Sequence, residues 1–202
     1  MKAGRGVIHL GANTGQERFL YARYGLKVAW VEPNPDIFRE LQSNLTDFPD
    51  QTAYNCLIAG QDGVKYQFHI SDNEGSSSSI LQPNKQLPGH WGKIGFPRSI
   101  ELEALSLPTF IRTKGIDLAS FDLLVLDTQG SELLILEAAK EILPRFRYIQ
   151  CEAVNFEAYV GCWQLPEMDA LLSKNGFKQT GRFVTSRYPK GGRQWDVLYQ
   201  RA

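Results

Sequence analysis

The stretch Val7-Ile8-His9-Leu10-Gly11-Ala12-Asn13-Thr14-Gly15-Gln16-Glu17, read with Lys27-Val28-Ala29-Trp30-Val31-Glu32, decides the fold. An apolar run flows into a glycine-bearing turn, a segment of helical character follows, and a second apolar run stops at an acid. Strand, glycine turn, helix, strand, acid is the order of a nucleotide-binding βαβ unit. A glycine at a strand end lets the chain turn sharply and lets a ligand approach the backbone, because no Cβ is in the way. The turn also delivers the free N–H groups of a helix N-terminus. A carboxylate at the tip of the second strand can accept both hydroxyls of a ribose.

Glycine spacing narrows the nucleoside. The dinucleotide fingerprint Gly-x-Gly-x-x-Gly needs a glycine where this chain has Asn13. The spacing Gly11-x-x-x-Gly15 is less suited to a pyrophosphate on the helix N-terminus. It fits a loop around a compact amino-acid-bearing nucleoside such as S-adenosylmethionine. Gly11-Ala12-Asn13-Thr14-Gly15 and then Val31-Glu32-Pro33-Asn34-Pro35 resemble the FkbM family of S-adenosylmethionine-dependent methyltransferases. The resemblance covers most of the chain and is strongest over 7–36, 71–79 and 121–139. It implies an α/β, Rossmann-like class I methyltransferase fold and O-methyl transfer to a hydroxyl on a sugar or secondary metabolite.

The totals agree with one domain spanning 1–202, long enough for a sizeable core. Twenty-two basic residues balance twenty-two acidic ones, which argues against a broad phosphate-binding face and against a nucleic-acid partner. No apolar run reaches bilayer-spanning length, and Met1–Gly6 carries no signal-peptide apolar region. Cys56, Cys151 and Cys162 are too few and too scattered for a disulfide framework or a metal knuckle. A cytoplasmic protein with no membrane partner is therefore expected.

Along the chain, the first helix is expected over Thr14–Tyr24, with Phe19, Leu20 and Tyr24 apolar at helical spacing and Gly25 as its stop. Asn34 or Pro35 opens a second helix with Ile37, Phe38, Leu41 and Leu45 on one buried face. Thr52–Ala59 reads as a third parallel strand. Val64–Ile70 and Ser99–Leu105 alternate as a half-buried strand pair. The long irregular loop between them, 71–98, is expected to be functional. A lid over the substrate is expected from such later loops or from a partner. Ser106 caps a short helix ending near Gly115, and Phe121–Asp127 is a central strand buried on both faces. Ser131–Leu143 is an amphipathic helix, Arg147–Val154 a strand and Leu165–Lys174 a helix. Phe177–Phe183 and Trp195–Gln200 form a terminal antiparallel pair. The result is a mostly parallel sheet with helices on both faces and an antiparallel C-terminal edge strand.

Ligands in such sheets sit beyond the carboxyl ends of the strands. Gly11, Asn13 and Gly15 are expected to line the methionine and sugar, with Glu32 holding the ribose and Asn34 beside it. Asp127-Thr128-Gln129-Gly130-Ser131-Glu132 closes the central strand. The family pattern implied by the resemblance has an acid where this chain has Gln129. Asp127 can face the methionine end of the cofactor or the acceptor, or cap a helix. Ser71-Asp72-Asn73-Glu74-Gly75-Ser76-Ser77-Ser78 resembles the family's polar stretch, so Asp72 and Asn73 join the cofactor-binding candidates. Glu152, at a strand tip, or Asp127 is the general-base candidate. His69 and His90 are weaker alternatives, and Arg187, Lys190 and Arg193 could meet an acidic acceptor.

His9 stands where related proteins usually have Asp and reads as structural. No metal is expected, because no His/Cys cluster has ligand spacing and Asp127 with Glu132 makes no oxygen cage. The Asp/Asn-Pro-Pro-aromatic motif of base-amino methyltransferases does not follow the central strand. The expected cofactor is S-adenosyl-L-methionine and the expected partner a small-molecule or glycan acceptor with a free hydroxyl. The alternatives are a non-catalytic, cofactor-binding accessory protein and a nucleotide-dependent oxidoreductase.

Overall fold

In the computed structural model, which describes residues 5–85, 93–188 and 191–202, two sheets organise the chain. His90, Trp91 and Lys190 lie outside the described residues. Strands β1 (Gly6–Leu10), β2 (Lys27–Glu32), β3 (Gln51–Asn55), β7 (Leu123–Leu126), β8 (Tyr148–Val154), β9 (Phe177–Arg187) and β10 (Arg193–Arg201) form the large sheet. Their spatial order is β3-β2-β1-β7-β8-β10-β9. The order reverses between β1 and β7, which is the switch point where such sheets take their ligand. β1 runs parallel to both β2 and β7, with Val7 opposite Val28 and Leu123. β10 is antiparallel to both β8 and β9, so the reversed strand lies inside the C-terminal border and β9 is the edge.

Alternation along β1 and β2 explains why both strands are buried throughout. Ile8, Leu10, Ala29 and Val31 face a cluster completed by Phe110, Leu133, Leu136 and Leu172. Val7, Val28 and Trp30 face the other side, against Tyr21, Leu41 and Leu45. Helices α3 (Leu107–Thr113), α4 (Glu132–Ala138) and α5 (Leu165–Lys174) thus cover one face, and α1 (Arg18–Arg23) and α2 (Pro35–Asn44) the other. A strand buried on both sides reads as a continuous apolar run, as β1 and β2 do.

Three of the expected elements depart from the sequence reading. The run Thr52–Ala59 splits: β3 stays beside β2, while β4 (Leu57–Ile58) pairs with β6 (Arg98–Leu105). β6 also pairs with β5 (Lys65–Ile70) in antiparallel register, as the alternation predicts, giving a small sheet β4-β6-β5. The first helix begins only at Arg18, because Ala12–Arg18 is taken up by tight turns around Gly15. Its buried residue is Tyr21; Phe19, Leu20 and Tyr24 are exposed, with Phe19 resting edge-on against Phe48. Helix α4 stops at Ala138, and a 3-10 turn at Leu143–Arg145 replaces its expected last turns.

Candidate active site

The loop after β1 is shaped by contacts a side chain would prevent. Gly11 has φ +78, and a Cβ there would lie 1.8 Å from the carbonyl oxygen of Asp127. The backbone N–H groups of Gly11 and Ala12 both donate to Val31 O, at 3.0 and 3.1 Å. Asn13 also sits in the left-handed region, at φ 44. Its backbone N–H donates to Glu32 Oε2 at 2.8 Å, and its side-chain oxygen accepts from the Thr14 N–H at 2.7 Å. Gly15 packs against Leu41, toward the core.

Glu32 ends β2 and is buried, 6% exposed, with no ion-pair partner among the described residues. Its Oε1 accepts from the Asn34 N–H and its Oε2 from Asn13, both at 2.8 Å. Burial pushes its carboxyl up to about 7 against the opposing pull of these two bonds. Asn34 caps α2 through its side chain, accepting from the Asp36 N–H at 3.0 Å.

These groups open on a cavity of about 300 Å³ at the carboxyl ends of β1, β2 and β7. Gly11, Asn13, Glu17, Glu32, Asp127 and Gln129 form its polar wall. Leu57, Ile58, Phe68 and Ile80 form an apolar end. Of the predicted residues, Gly11, Asn13, Glu32 and Asp127 line the cavity. Gly15 and Asn34 stand behind the wall. Asp72 and Asn73 bond within their own loop, to Gly95 and Ser77 respectively, while Ser76 and Ser78 reach the cavity. His9 is buried, stacked on Trp30 and joined to the Tyr21 hydroxyl at 3.2 Å. Burial lowers its imidazole to about 3, so it is neutral at physiological pH. His69 bonds Gln82 instead. Arg187 and Arg193 pair in register on β9 and β10.

The turn after β7 brings the carboxylates Asp127 and Glu132 together beside Glu152. The Glu132 carboxylate accepts from the N–H groups of Thr128 at 2.8 Å and Gly130 at 3.0 Å, which makes Glu132 the clasp of that turn. Gln129, absent from the sequence-based candidates, is its centre. Its amide nitrogen donates to Asp127 Oδ1 at 2.6 Å and to Glu152 Oε2 at 2.9 Å. Gln194 donates to the second Glu152 oxygen. Asp127 Oδ2 has no protein partner among the described residues. Asp127 is itself exposed, on the wall of the cavity. The protein packed around the cavity wall pushes its carboxyl above the ordinary range, against the Gln129 hydrogen bond and with the help of Glu132, Asp196 and Glu17. Burial also raises Glu152 well above that range, with Asp127 next in effect. Cavity water screens part of the rise at Asp127.

Comparison with known proteins places this geometry. Residues 9–178 match the family model described as the methyltransferase FkbM domain. The chain is 28% identical over 201 residues to the 2-O-methyltransferase NoeI of Sinorhizobium fredii, across 95% of this chain and 77% of that protein. Among solved structures it is similar to a TehB-like methyltransferase from Corynebacterium glutamicum, with a TM-score of 0.51 and 11% identity over 100% of this chain and 83% of that one. It is also similar to magnesium protoporphyrin IX methyltransferase from Synechocystis with bound S-adenosylhomocysteine, with a TM-score of 0.52 and 12% identity over 98% and 74% of the two chains. At these identities the structural likeness speaks for the class I fold alone. The family match covers most of the chain and weighs against a non-catalytic accessory role. The chain belongs to the FkbM methyltransferase family.

Proposed function

We propose that this methyltransferase, whose methyl donor is S-adenosylmethionine, methylates a hydroxyl on a glycan or similarly polyhydroxylated acceptor, with Asp127 as the general base. The residues present fit the donor. Glu32 is a buried carboxylate with one backbone donor on each oxygen, which leaves lone pairs on both for a ribose diol. Gly11 keeps the loop free of a Cβ, and Leu57, Ile58 and Phe68 offer an apolar slot to a base. When bound, S-adenosylmethionine supplies an electrophilic methyl carbon that leaves sulfur as the acceptor oxygen bonds to it. The protein's part is then alignment of the acceptor and removal of its proton.

One observation carries the choice of base. Asp127 keeps a free oxygen on the cavity wall, whereas both oxygens of Glu152 are held by amides of Gln129 and Gln194. A carboxyl raised toward neutrality is well matched to accepting a hydroxyl proton. Support for a hydroxyl acceptor comes from NoeI, whose name describes 2-O-methylation. The amide- and carboxylate-rich wall also supplies acceptors for several hydroxyl donors. The three cysteines are free thiols, in keeping with a cytoplasmic setting. Among the described residues no helix is long and apolar enough to cross a membrane.

The test is transfer of labelled methyl from S-adenosylmethionine to a panel of mono- and oligosaccharides, comparing wild type with Asp127→Asn. An alkali-stable product made only by the wild type supports a hydroxyl acceptor and the base. An alkali-labile ester overturns the hydroxyl assignment. Wild-type rates in Asp127→Asn overturn the base.

A further inference from the structure

We propose that Gln129 is a positioning residue whose one carboxamide makes Asp127 and Glu152 an unequal pair, exposing one Asp127 oxygen to the cavity, and locks that arrangement to the loops at 77–79 and 159–162. The inference deepens the assignment of Asp127 as base and rests on it for its catalytic meaning; the positioning itself is a property of the free protein.

The orientation of the amide is fixed by its neighbours. A carboxamide nitrogen carries two hydrogens, and the two carboxylates take one each, at 2.6 and 2.9 Å. The amide oxygen lies 3.0 Å from the Tyr159 hydroxyl, which donates to it or to Ser77 O at 2.8 Å. Turning the amide over would set its oxygen against two carboxylates, so only one orientation is tolerable. The backbone is held as firmly. Gln129 adopts φ 54 and is 8% exposed, and Ser79 Oγ donates to its carbonyl oxygen at 2.7 Å. The next residue, Gly130, has φ +101, and a Cβ there would stand 3.1 Å from both Tyr159 and Cys162. A left-handed non-glycine residue persists where its surroundings over-determine it, and such positions gather at functional sites.

The charges explain why an amide is needed. Asp127 feels Glu132 from α4, Asp196 from β10 and Glu17 from the loop before α1; Glu152 feels Asp127, Glu132 and Asp196. Among the described residues no Lys or Arg forms an ion pair with any of these five carboxylates. Among the described residues Gln129 is the one side chain that donates to Asp127, and it joins Asp127 to Glu152. An acid at this position, as the resemblance leads one to expect, would have to share a proton with the pair or add a further negative charge. The amide bridges them with donors instead. Because Gln194 also holds Glu152, the bridge leaves Asp127 as the member with an unengaged oxygen.

The experiment follows the carboxyl resonances of Asp127 and Glu152 by 13C NMR through a pH titration of the ligand-free protein, assigned with Asp127→Asn and Glu152→Gln. Gln129→Met keeps the volume and removes both donors; Gln129→Glu replaces them with an acid. Binding of S-adenosylhomocysteine and thermal melting report whether each variant is folded. A hydrogen bond to a charged group is worth one to two pH units in round terms, so in Gln129→Met the Asp127 titration is expected to rise by about that much. Tyr159→Phe, which frees the amide oxygen but keeps the donors, is expected to give a smaller rise. An Asp127 titration unchanged in a folded Gln129→Met, or in Gln129→Glu if Met does not fold, overturns the proposal. A shifted titration together with full methyl transfer by Asp127→Asn leaves the positioning intact and removes the base assignment, so the two failures are distinct.

Discussion

Asn13 donates its backbone N–H to Glu32 Oε2 at 2.8 Å, so the glycine loop after β1 and the acid at the tip of β2 are one hydrogen-bonded unit. Asn34 closes the other side of the same carboxylate. The two residues are 19 apart in sequence, and the parallel pairing of β1 with β2 brings them together. The ribose site proposed at Glu32 is therefore shaped in the free protein, by a carboxyl held in place with backbone donors.

Glu32→Gln tests that unit through its pH dependence. The folded-state value of about 7 lies above the unfolded value near 4.5, so the folded protein binds more protons between these limits. The contribution of Glu32 to stability is thus fully present below about pH 4.5 and is lost as pH rises through about 7, by up to about 3 kcal/mol. Denaturant unfolding at pH 5 and pH 8 should show the wild type losing ground to Glu32→Gln as pH rises. His9, with its lowered value, opposes this trend in both proteins and cancels in the comparison. Equal pH slopes would show that Glu32 titrates as an ordinary carboxylate. The variant should also bind S-adenosylhomocysteine about tenfold or more weakly at pH 8, because a charged acceptor is lost.

Gly11→Ala and Gly25→Ala separate close approach from backbone strain. Both glycines have positive φ, which costs a residue with a Cβ about 1–2 kcal/mol. At Gly25 nothing lies within 4 Å of the added carbon, so that cost is the whole expectation. At Gly11 the carbon meets the Asp127 carbonyl at 1.8 Å, and strand β7 must move. Thermal melts should place Gly11→Ala well below Gly25→Ala, with S-adenosylhomocysteine binding lost in the first alone. Matching melting points would refute the close approach.

Tyr159→Phe tests how the long loop is held. Beyond the hydroxyl, Val160 N–H bonds Gln82 O at 2.8 Å and Pro83 pairs with Tyr159, so 77–83 and 158–160 are stitched together over the turn after β7. Losing the hydroxyl should weaken this closure by about 1 kcal/mol. Limited proteolysis should then cut faster within 71–85, while global unfolding changes little. Unchanged cleavage would show that the backbone bridges suffice.

The parts of this architecture that sequence discloses are those made by neighbours along the chain. Val7–Leu10 and Val28–Val31 read as buried strands because both faces of a parallel strand need apolar residues, and Gly11 marks the turn because only a missing Cβ admits the Asp127 carbonyl. Helix α5 was legible in place and in length and α2 and α3 nearly so, whereas α1 and α4 were legible in place alone: turns with short-range bonds around Gly15 and after Ala139 share the composition of helix. The role of Gln129 was beyond that reach. Its meaning depends on Glu152, Tyr159, Ser79 and Gln194, which meet only through the sheet order and the loop crossing. A polar residue in place of an expected acid is the signal the sequence offers, and only the fold shows that its amide bridges two carboxylates.

The unpaired negative charge of the site bears on which form of the cofactor it holds. S-Adenosylmethionine carries one more positive charge than S-adenosylhomocysteine, at the sulfonium. Asp127 and Glu32 line the cavity with raised carboxyls, and Glu152 stands behind them. A cation brought close to such groups favours their charged forms, lowers their titration and releases protons. Near pH 6.5, binding of S-adenosylmethionine should release roughly 0.3–0.5 proton, and S-adenosylhomocysteine distinctly less. Calorimetry in two buffers of different ionisation enthalpy measures both. Equal release would locate the linked proton at Glu32, which meets the part the two molecules share. Greater release with the sulfonium, abolished in Asp127→Asn, would place the responding group at Asp127.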